Sequence, residues 1–387
     1  MAVPQSNSAL IDILQERIAN SPQQRITFAD YMDLVLYHDR EGYYSRGRGL
    51  GETGDFVTSV HLCPDFGEML AEQFVQMWEI LGKPQPFSLL ELGAGQGILA
   101  GDVLSYIERK YPEFLEAIDY TIVEKSRQLK AQQQQRLKTY NVRWFELEEI
   151  PENAIVGCIF SNEFFDALPV HLFGIEQGEL KEIYVTIKNN ELVETIGEPS
   201  TPDLKNYFAN LSIEIGDRVY EGYRSEVNLA ALEWIEAISK RLQRGYVLTI
   251  DYGYPAARYY QPHRREGTLQ CYYRHHFHDD PYAYVGEQDL TAHVNFTALE
   301  IWGARSQLVK LGFAPQALFL MALGIGDRIA EISNSSNSVD LTNALHRRQV
   351  LHRLIDPMGV GNFGVLIQAK GLDSEQKSQV LRGLQTR

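Results

Sequence analysis

The stretch SLLELGAGQGILAGDVL, residues 88–104, places Gly93, Gly95 and Gly97 directly after an apolar run and before a helical pattern. A strand, a glycine turn and a helix in this order let the backbone approach a ligand at the helix N-terminus. The dinucleotide fingerprint GxGxxG would need glycine at Ile98, so nicotinamide and flavin dinucleotides are disfavoured. A phosphate-binding loop is also disfavoured, because no Lys and Ser or Thr follow the glycines. The glycines alone fit a structural turn nearly as well as a ligand loop.

Acids at the ends of the predicted strands indicate which ligand the loop would hold. Glu91 closes the first strand, where its carboxylate would orient the loop or face a positively charged methionyl group. Glu124 closes YTIVE, where a carboxylate can accept hydrogen bonds from both ribose hydroxyls. This pair predicts S-adenosyl-L-methionine as the cofactor. Glu146, in WFELEEI after the third strand, would flank the adenine, although a charged surface turn explains it equally well.

Three polar residues follow the fourth predicted strand in IVGCIFSNEFFDALPV, residues 155–170. Asn162 is expected on the cofactor side, because ligands of open α/β sheets sit beyond the carboxyl ends of the strands. Glu163 and Asp166 are three residues apart, so in a helical turn both would project from one face. Two carboxylates there would grip the guanidinium of an arginine substrate, which predicts them as catalytic residues. The alternative is that Asn162 and Asp166 cap a helix.

Working outward, short apolar runs alternate with amphipathic runs from residue 87, which predicts an α/β fold with parallel strands and crossover helices. The segment at 170–225 breaks this rhythm, and its GELKE and KNNEL turns predict inserted hairpins. The tract AQQQQRLK at 131–138 is interpreted as a solvated helix face.

Composition excludes several classes of protein. The chain has 387 residues, of which 44% are hydrophobic, so a sizeable core is expected. Its 36 Lys and Arg against 51 Asp and Glu give a net charge of −15, which disfavours nucleic acid as a partner. The three cysteines show no CxxC spacing, and neither a signal core, a transit-peptide composition nor a membrane-spanning apolar run is apparent. We therefore expect a cytoplasmic protein without membrane insertion, whose oligomeric state the sequence does not reveal.

The chain resembles the MidA-like class I methyltransferases, a family that includes a mitochondrial complex I assembly factor acting as a protein arginine methyltransferase. The resemblance spans roughly residues 40–368 and rests on nine stretches: EGYYS, GDFVTS, ELGAGQG, YTIVEKS, SNEFFDALPV, LTIDYG, GTLQCYYRHH, DLTAHVNF and MGVGNFGVL. It implies a seven-stranded Rossmann-like sheet that binds S-adenosyl-L-methionine, with an added helical and hairpin region. The family often has Pro and Arg where this chain has Ala94 and Gln96, but the glycines are kept.

With the resemblance added, four segments are expected. They are an N-terminal helical region at 1–60, a cofactor-binding Rossmann-like half at 61–169, an inserted hairpin and helix subdomain at 170–225, and a C-terminal half with substrate-side loops at 226–387.

Other residues in the resembling stretches are weaker candidates. Asp289 and His293 in DLTAHVNF are predicted to bind substrate because the family motif covers both, whereas a helix cap with a pair four residues apart is the alternative. Asp251, at the end of LTIDYG, fits a pocket acid or a turn residue equally well.

The remaining polar and aromatic clusters are His275, His276 and His278, and the N-terminal Tyr43, Tyr44 and Asp55. The histidines lack an HExxH pattern or a cysteine partner, so a polar loop is favoured over a metal site. The N-terminal residues would cover the methyl donor, although aromatic packing explains the tyrosines as well.

The sequence therefore predicts a methyltransferase that modifies a protein arginine, and the resemblance implies a subunit of a respiratory-type NADH dehydrogenase as its target. An assembly factor or chaperone that binds such a subunit without catalysis is the first alternative. A dinucleotide-dependent oxidoreductase is the second, and Ile98 argues against it.

Overall fold

The computed structural model describes residues 6–47, 59–213, 220–274, 276–334 and 341–385. The helices in these ranges, in chain order, are α1 (Ser8–Ala19), α2 (Phe28–Tyr37), α3 (Ser59–Leu62), α4 (Asp65–Ile80), α5 (Ile98–Lys110), α6 (Pro112–Ala117), α7 (Arg127–Arg136), α8 (Asp203–Asn210), α9 (Leu229–Arg241), α10 (Ala256–Tyr259), α11 (Phe296–Arg305), α12 (Gln316–Ala322), α13 (Ile325–Asn334), α14 (Leu341–Leu354) and α15 (Ser374–Ser378).

The strands in the same ranges form one large sheet, a second sheet and two small ones. In chain order they are β1 (Arg25–Thr27), β2 (Phe87–Leu92), β3 (Ile118–Val123), β4 (Val142–Phe145), β5 (Ile155–Asn162), β6 (His171–Glu176), β7 (Glu179–Lys188), β8 (Glu191–Gly197), β9 (Arg224–Val227), β10 (Leu242–Asp251), β11 (Gly253–Tyr254), β12 (Gln270–Tyr273), β13 (His276–His278), β14 (Asp289–Thr291), β15 (Val294–Asn295), β16 (Val309–Pro315) and β17 (Gly364–Lys370).

The large sheet has the order β16-β17-β10-β5-β2-β3-β4. Strands β10, β5, β2, β3 and β4 are parallel, whereas β17 is antiparallel to both of its neighbours. The predicted α/β fold is confirmed. The order of the chain reverses between β2 and β5, and in such sheets this reversal opens a crevice at the carboxyl ends of the strands.

Apolar side chains cover both faces of the large sheet, as expected for buried parallel strands. Leu89 of β2 packs into the cluster that α4 and α5 form on one face, whereas its neighbour Leu90 packs against α9 and α11 on the other. Successive residues of a strand point to opposite faces. The short apolar runs in the sequence therefore form strands that are covered by helices on both faces. Because these strands are parallel, their carboxyl ends lie at the same edge of the sheet.

The second sheet has the order β1-β7-β6-β9, and β8 also pairs with β7. Two-residue turns connect β6 to β7 and β7 to β8, and the four turn residues Gln177, Gly178, Asn189 and Asn190 all have positive φ. This conformation is typical of tight hairpins, which agrees with the hairpins predicted for this segment. Helices α1 and α2 pack on this sheet, so the N-terminal region and the inserted hairpins share one apolar cluster.

One local prediction is wrong. The helical turn expected at Glu163 to Asp166 is an irregular turn that begins with a φ of +52° at Glu163.

Among the described residues, every helix is too short or too polar to span a lipid bilayer.

Candidate functional site

A cavity of about 520 Å³ opens at the carboxyl ends of β2, β3 and β5, where the order of the sheet reverses. This volume lies within the range of roughly 300–1,000 Å³ that is usual for small-molecule sites. Loops after all three strands line it, together with residues of α2 and β14. The cavity therefore brings together segments that are far apart in the sequence.

The glycine loop forms one wall of the cavity. Gly93, Gly95 and Gly97 have φ values of +65°, +52° and +73°, a region that residues with a Cβ atom rarely adopt. A Cβ atom on Gly93 would lie 2.7 Å from the ring of Phe164. Helix α5 starts at Ile98, immediately after the loop, so its free backbone N–H groups lie beside the cavity. The glycine turn that the sequence predicts is present beside the cavity, and its contact with a ligand stays a prediction.

Glu91 lies at the base of the cavity and is 3% exposed. Its Oε2 accepts a hydrogen bond of 2.7 Å from the hydroxyl of Tyr120. Burial, with an added contribution from the nearby Glu124, raises the pKa of Glu91 to about 7. The pKa of this buried carboxyl group therefore lies close to neutral pH.

Glu124 follows β3 and also lines the cavity. Its Oε1 accepts a hydrogen bond from the backbone N–H of Ser126 at 2.9 Å, and its Oε2 accepts one from Nε2 of Gln133 at 3.0 Å. Burial raises the pKa of Glu124 to about 7 against these two donors. The two hydrogen bonds thus fix the orientation of the carboxylate, but both donors are neutral groups.

Gln133 is fully buried, although the sequence assigns its tract to a solvated helix face. Its Nε2 also donates to the carbonyl of Gly95 at 2.8 Å, and its Oε1 accepts from the indole of Trp144 at 2.9 Å. The spacing of four residues from Leu129 to Gln133 and again to Leu137 was the signal that would have found it, since such residues share one helix face. Gln133 joins the glycine loop to Glu124.

Glu146 is exposed at the rim of the cavity. Its backbone N–H donates to the side chain of Glu149 at 2.8 Å in a reciprocal capping box around a short 3₁₀ turn. Glu146 thus serves a surface turn and also borders the cavity.

Asn162 ends β5 and Glu163 follows it, beside the glycine loop, because β5 pairs with β2. Nδ2 of Asn162 donates to Oε1 of Glu163 at 3.0 Å. The remaining oxygens, Oδ1 of Asn162 and Oε2 of Glu163, are buried and have no hydrogen-bond partner among the described residues. Burial, followed by the charge of Asp166, raises the pKa of Glu163 to about 8. Such buried acceptors are costly unless a ligand supplies donors.

Asp166 is buried on the same wall, and its Oδ1 likewise has no partner within the described part of the chain. Burial raises the pKa of Asp166 well above its usual range, and Asp251 and Asp289 raise it further. Asp166 and Glu163 both border the cavity, as expected from the sequence, but an irregular turn rather than a helix brings them together.

Asp251 lies behind this turn and is not one of the residues that line the described cavity. Its Oδ2 accepts hydrogen bonds from the backbone N–H groups of Phe164, Phe165 and Asp166, at 3.2, 2.9 and 3.3 Å. Asp251 therefore holds the turn that presents Glu163 and Asp166. The sequence leaves a pocket acid and a turn residue open for Asp251, and these contacts are those of a turn residue.

Asp289 and His293 occupy different surroundings. Asp289 begins β14 and lines the cavity, where its Oδ1 accepts a hydrogen bond of 2.8 Å from the hydroxyl of Tyr44. His293 lies between β14 and β15, outside the described lining, and burial lowers its pKa to about 4, with a further contribution from Arg264 and Arg258. The helical pair of Asp289 and His293 does not form, because Asp289 lies in a strand.

His276 and His278 lie in β13, and His275 and Asp55 lie outside the described residues. In the described ranges, no three His, Cys, Asp or Glu side chains are grouped as a metal site. Tyr43 is buried in the cluster around α1 and α2, whereas Tyr44 reaches the cavity.

Helix α2 supplies two cavity residues that the sequence did not indicate, Asp33 and Tyr37. The hydroxyl of Tyr37 donates to the carbonyl of Ala167 at 2.9 Å, and its ring stacks on Tyr44 with centroids 5.4 Å apart. The pattern of α2 fits an amphipathic helix equally well without a ligand, so no sequence signal distinguished these two positions.

A sequence profile for a family of S-adenosyl-L-methionine-dependent methyltransferases matches residues 69–314. Similar proteins include three named "Protein arginine methyltransferase NDUFAF7, mitochondrial". The Rattus norvegicus protein is 30% identical over 87% of this chain and 79% of its own length. The Homo sapiens protein is 30% identical over 88% and 80%, and the Danio rerio protein is 28% identical over 97% and 91%.

A solved structure from Burkholderia thailandensis, bound to S-adenosyl-homocysteine, matches this chain with a TM-score of 0.83 and 30% identity. The match covers 96% of this chain and 95% of the other. A second crystal structure from the same organism gives a TM-score of 0.83 at 31% identity, over 97% and 94%. The likeness extends over nearly the whole fold.

The expected cytoplasmic location is wrong according to these relatives. The rat, human and zebrafish proteins are all named as mitochondrial. The expectation rested on the spacing of the cysteines and on the lack of a signal, transit or membrane-spanning segment in the sequence, and these features do not identify the compartment.

Proposed function

Since the chain belongs to a family of S-adenosyl-L-methionine-dependent methyltransferases, we propose that it methylates a guanidinium nitrogen of arginine in a protein substrate. The family match and the similar structure bound to S-adenosyl-homocysteine confirm the predicted cofactor. The choice of arginine as acceptor rests on the side chains of the cavity.

The donor half of the cavity consists of the glycine loop and the acids beside it. Gly93 and Gly95 line the cavity with positive φ values, so the backbone of the loop would approach the donor closely, and Glu124 would accept hydrogen bonds from ribose hydroxyls. Glu91 places a buried carboxyl group near the loop, where it would face the sulfonium. Glu146 would border the adenine, and the buried Oδ1 of Asn162 would accept a hydrogen bond from the amino group of the donor.

The observation that carries the proposal is the pair of unpartnered carboxylate oxygens on Glu163 and Asp166. Both oxygens are buried and border the same cavity as the glycine loop. A guanidinium brings five N–H donors and a positive charge, so it would satisfy both oxygens and compensate their mutual repulsion. Asp289 borders the same space and adds a third acid. An acceptor without N–H donors would leave the buried oxygens of Glu163 and Asp166 unsatisfied.

These residues define what the chain contributes to the reaction. The bound donor supplies a methyl group on a positively charged sulfur. Glu163 and Asp166 would orient the guanidinium so that one nitrogen points toward the donor half of the cavity. As that nitrogen gains the methyl group it must lose a proton, and a carboxylate would accept it. The pKa of Glu163, about 8, suits this task, because a general base works best when its pKa lies near the working pH.

The names of the relatives support arginine, since each describes a protein arginine methyltransferase. The partner is proposed on the resemblance of the sequence motifs alone, as a subunit of a respiratory-type NADH dehydrogenase. The alternative is an assembly factor that binds such a subunit and the donor without catalysis.

The test uses a cell extract depleted of this protein, purified enzyme and donor carrying a labelled methyl group. After acid hydrolysis, the label should appear in methylarginine with the native enzyme and disappear with Glu163→Gln. Label in another amino acid would refute the choice of acceptor. Donor binding without any transfer, together with full function of Glu163→Gln in cells that lack the native protein, would favour the assembly factor.

A further inference from the structure

Tyr44 touches both halves of the cavity although it belongs to the N-terminal segment. Its backbone carbonyl accepts a hydrogen bond of 3.1 Å from the hydroxyl of Ser126, and its own hydroxyl donates to Oδ1 of Asp289 at 2.8 Å. Tyr44 and Asp289 are 245 positions apart in the chain. A single residue therefore connects a donor-side loop with an acid on the acceptor side.

The donor-side attachment is well defined. Ser126 donates its backbone N–H to Glu124 at 2.9 Å and caps α7 by accepting from the N–H of Leu129 at 3.3 Å. The serine that orients the proposed ribose acid is thus the same residue that holds the backbone of Tyr44. Movement of this serine would disturb both sites.

The acceptor-side attachment is equally direct. Tyr44 stacks on Tyr37, and the hydroxyl of Tyr37 donates to the carbonyl of Ala167, next to Asp166. Burial raises the pKa of the Tyr44 phenol well above its usual value, and Asp289 raises it further. Tyr44 therefore keeps its proton around neutral pH and can act toward Asp289 only as a donor.

We propose that Tyr44 is a positioning residue for the cation site, in which its hydroxyl orients Asp289 so that this acid acts as a third binding group for the guanidinium. Hydrogen-bond donation to a carboxylate favours its charged form, and that is the form that a cation binds. Without the hydroxyl, Asp289 would lose the hydrogen bond that orients its Oδ1, while the nearby acids Glu163 and Asp166 repel it. The inference rests on the proposed function, because it specifies how the acceptor half selects a cation.

The experiment is a titration with ethylguanidinium, followed by ligand-observed NMR, on protein saturated with S-adenosyl-homocysteine. Tyr44→Phe keeps the ring that stacks on Tyr37 and removes only the hydroxyl. We expect its affinity for ethylguanidinium to fall at least fivefold, with the affinity for S-adenosyl-homocysteine changed by less than twofold. Tyr140→Phe is the matched control, because the hydroxyl of Tyr140 also donates to a carboxylate, that of Glu108, but at an exposed site. It should bind as the native protein does.

A second arm separates positioning from a general loss of structure. If Tyr44 acts through Asp289, the change Tyr44→Phe should have no further effect in an Asp289→Ala background. An equal loss in both backgrounds, or native affinity in Tyr44→Phe, would overturn the assignment of Tyr44 while leaving the cation site intact. No binding of ethylguanidinium by the native protein would instead remove the proposed function, and the role of Tyr44 with it.

Discussion

Nε2 of Gln133 lies 3.0 Å from Oε2 of Glu124, and the same nitrogen donates to the carbonyl of Gly95 at 2.8 Å. One buried amide therefore sets the distance between the glycine loop and the acid proposed to bind the ribose. Because both contacts involve the same side chain, the two parts of the donor site cannot shift independently.

Replacing Gln133 with Leu should weaken binding of S-adenosyl-L-methionine roughly tenfold. The variant keeps the apolar packing between α7 and the sheet but removes one of the two donors to Glu124 and leaves the carbonyl of Gly95 unpaired, which costs on the order of 1–3 kcal/mol. Isothermal titration calorimetry measures the change. Gln135→Leu, on the exposed face of the same helix, is the control and should bind normally.

Gly95→Ala should lower the affinity for the donor, whereas a glycine substitution with the same cost in the free energy of unfolding but far from the cavity should not. Gly95 and Gly178 both have positive φ, so alanine at either position should lower the free energy of unfolding by about 1 kcal/mol. Gly178 lies in the hairpin turn between β6 and β7, with open space around it, so Gly178→Ala should bind the donor normally. Equal donor affinities for the two variants would mean that the loop does not contact the donor.

Donor affinity should rise with pH between 6 and 8. In the free protein, burial raises the pKa of Glu124 to about 7, and ribose hydroxyls donate best to the ionised carboxylate. Binding must therefore expel a proton below pH 7, which for one group with this pKa weakens affinity by about tenfold at pH 6 relative to pH 8. Glu91, whose pKa is also about 7, adds to the same trend.

The control for this pH dependence is Glu124→Gln. It should bind the donor more weakly at pH 8 and show a shallower dependence on pH, since Glu91 is then the remaining donor-side acid with a pKa of about 7. An affinity that falls as pH rises would contradict the assignment of both acids.

Glu163→Gln and Asp166→Asn should each lower kcat for arginine methylation by a factor of about 100 or more, the usual scale for loss of a general base. The dissociation constant of the donor should change by less than threefold, because both acids face the acceptor half. Initial rates of methyl transfer and calorimetry provide the two readouts. Glu191→Gln, on an exposed edge of the hairpin sheet, should leave both unchanged.

The sequence identified the parts of the site that follow directly from strand ends. Glu91, Glu124 and Asn162 fall at the carboxyl ends of strands, and parallel strands bring such positions to one edge of a sheet. The glycines were visible for a similar reason, because positive φ values restrict the choice of residue. These local rules were enough to bring donor loop and acids together.

The remaining parts depend on contacts between distant segments. Tyr44 lies in the turns after α2 and donates to Asp289, 245 positions further along the chain, and no local pattern encodes a contact between such distant segments. Asp251 was ambiguous because a pocket acid and a turn-holding acid look alike at the end of a strand. Gln133 was misassigned because a run of four glutamines hid the spacing that places one of them inside.

A crystal structure with both S-adenosyl-homocysteine and ethylguanidinium is the decisive test of the two-part cavity. We expect the ribose hydroxyls on Glu124 and the guanidinium within hydrogen-bonding distance of Glu163 and Asp166, in the same cavity. A guanidinium bound elsewhere, or a ribose that does not contact Glu124, would contradict it.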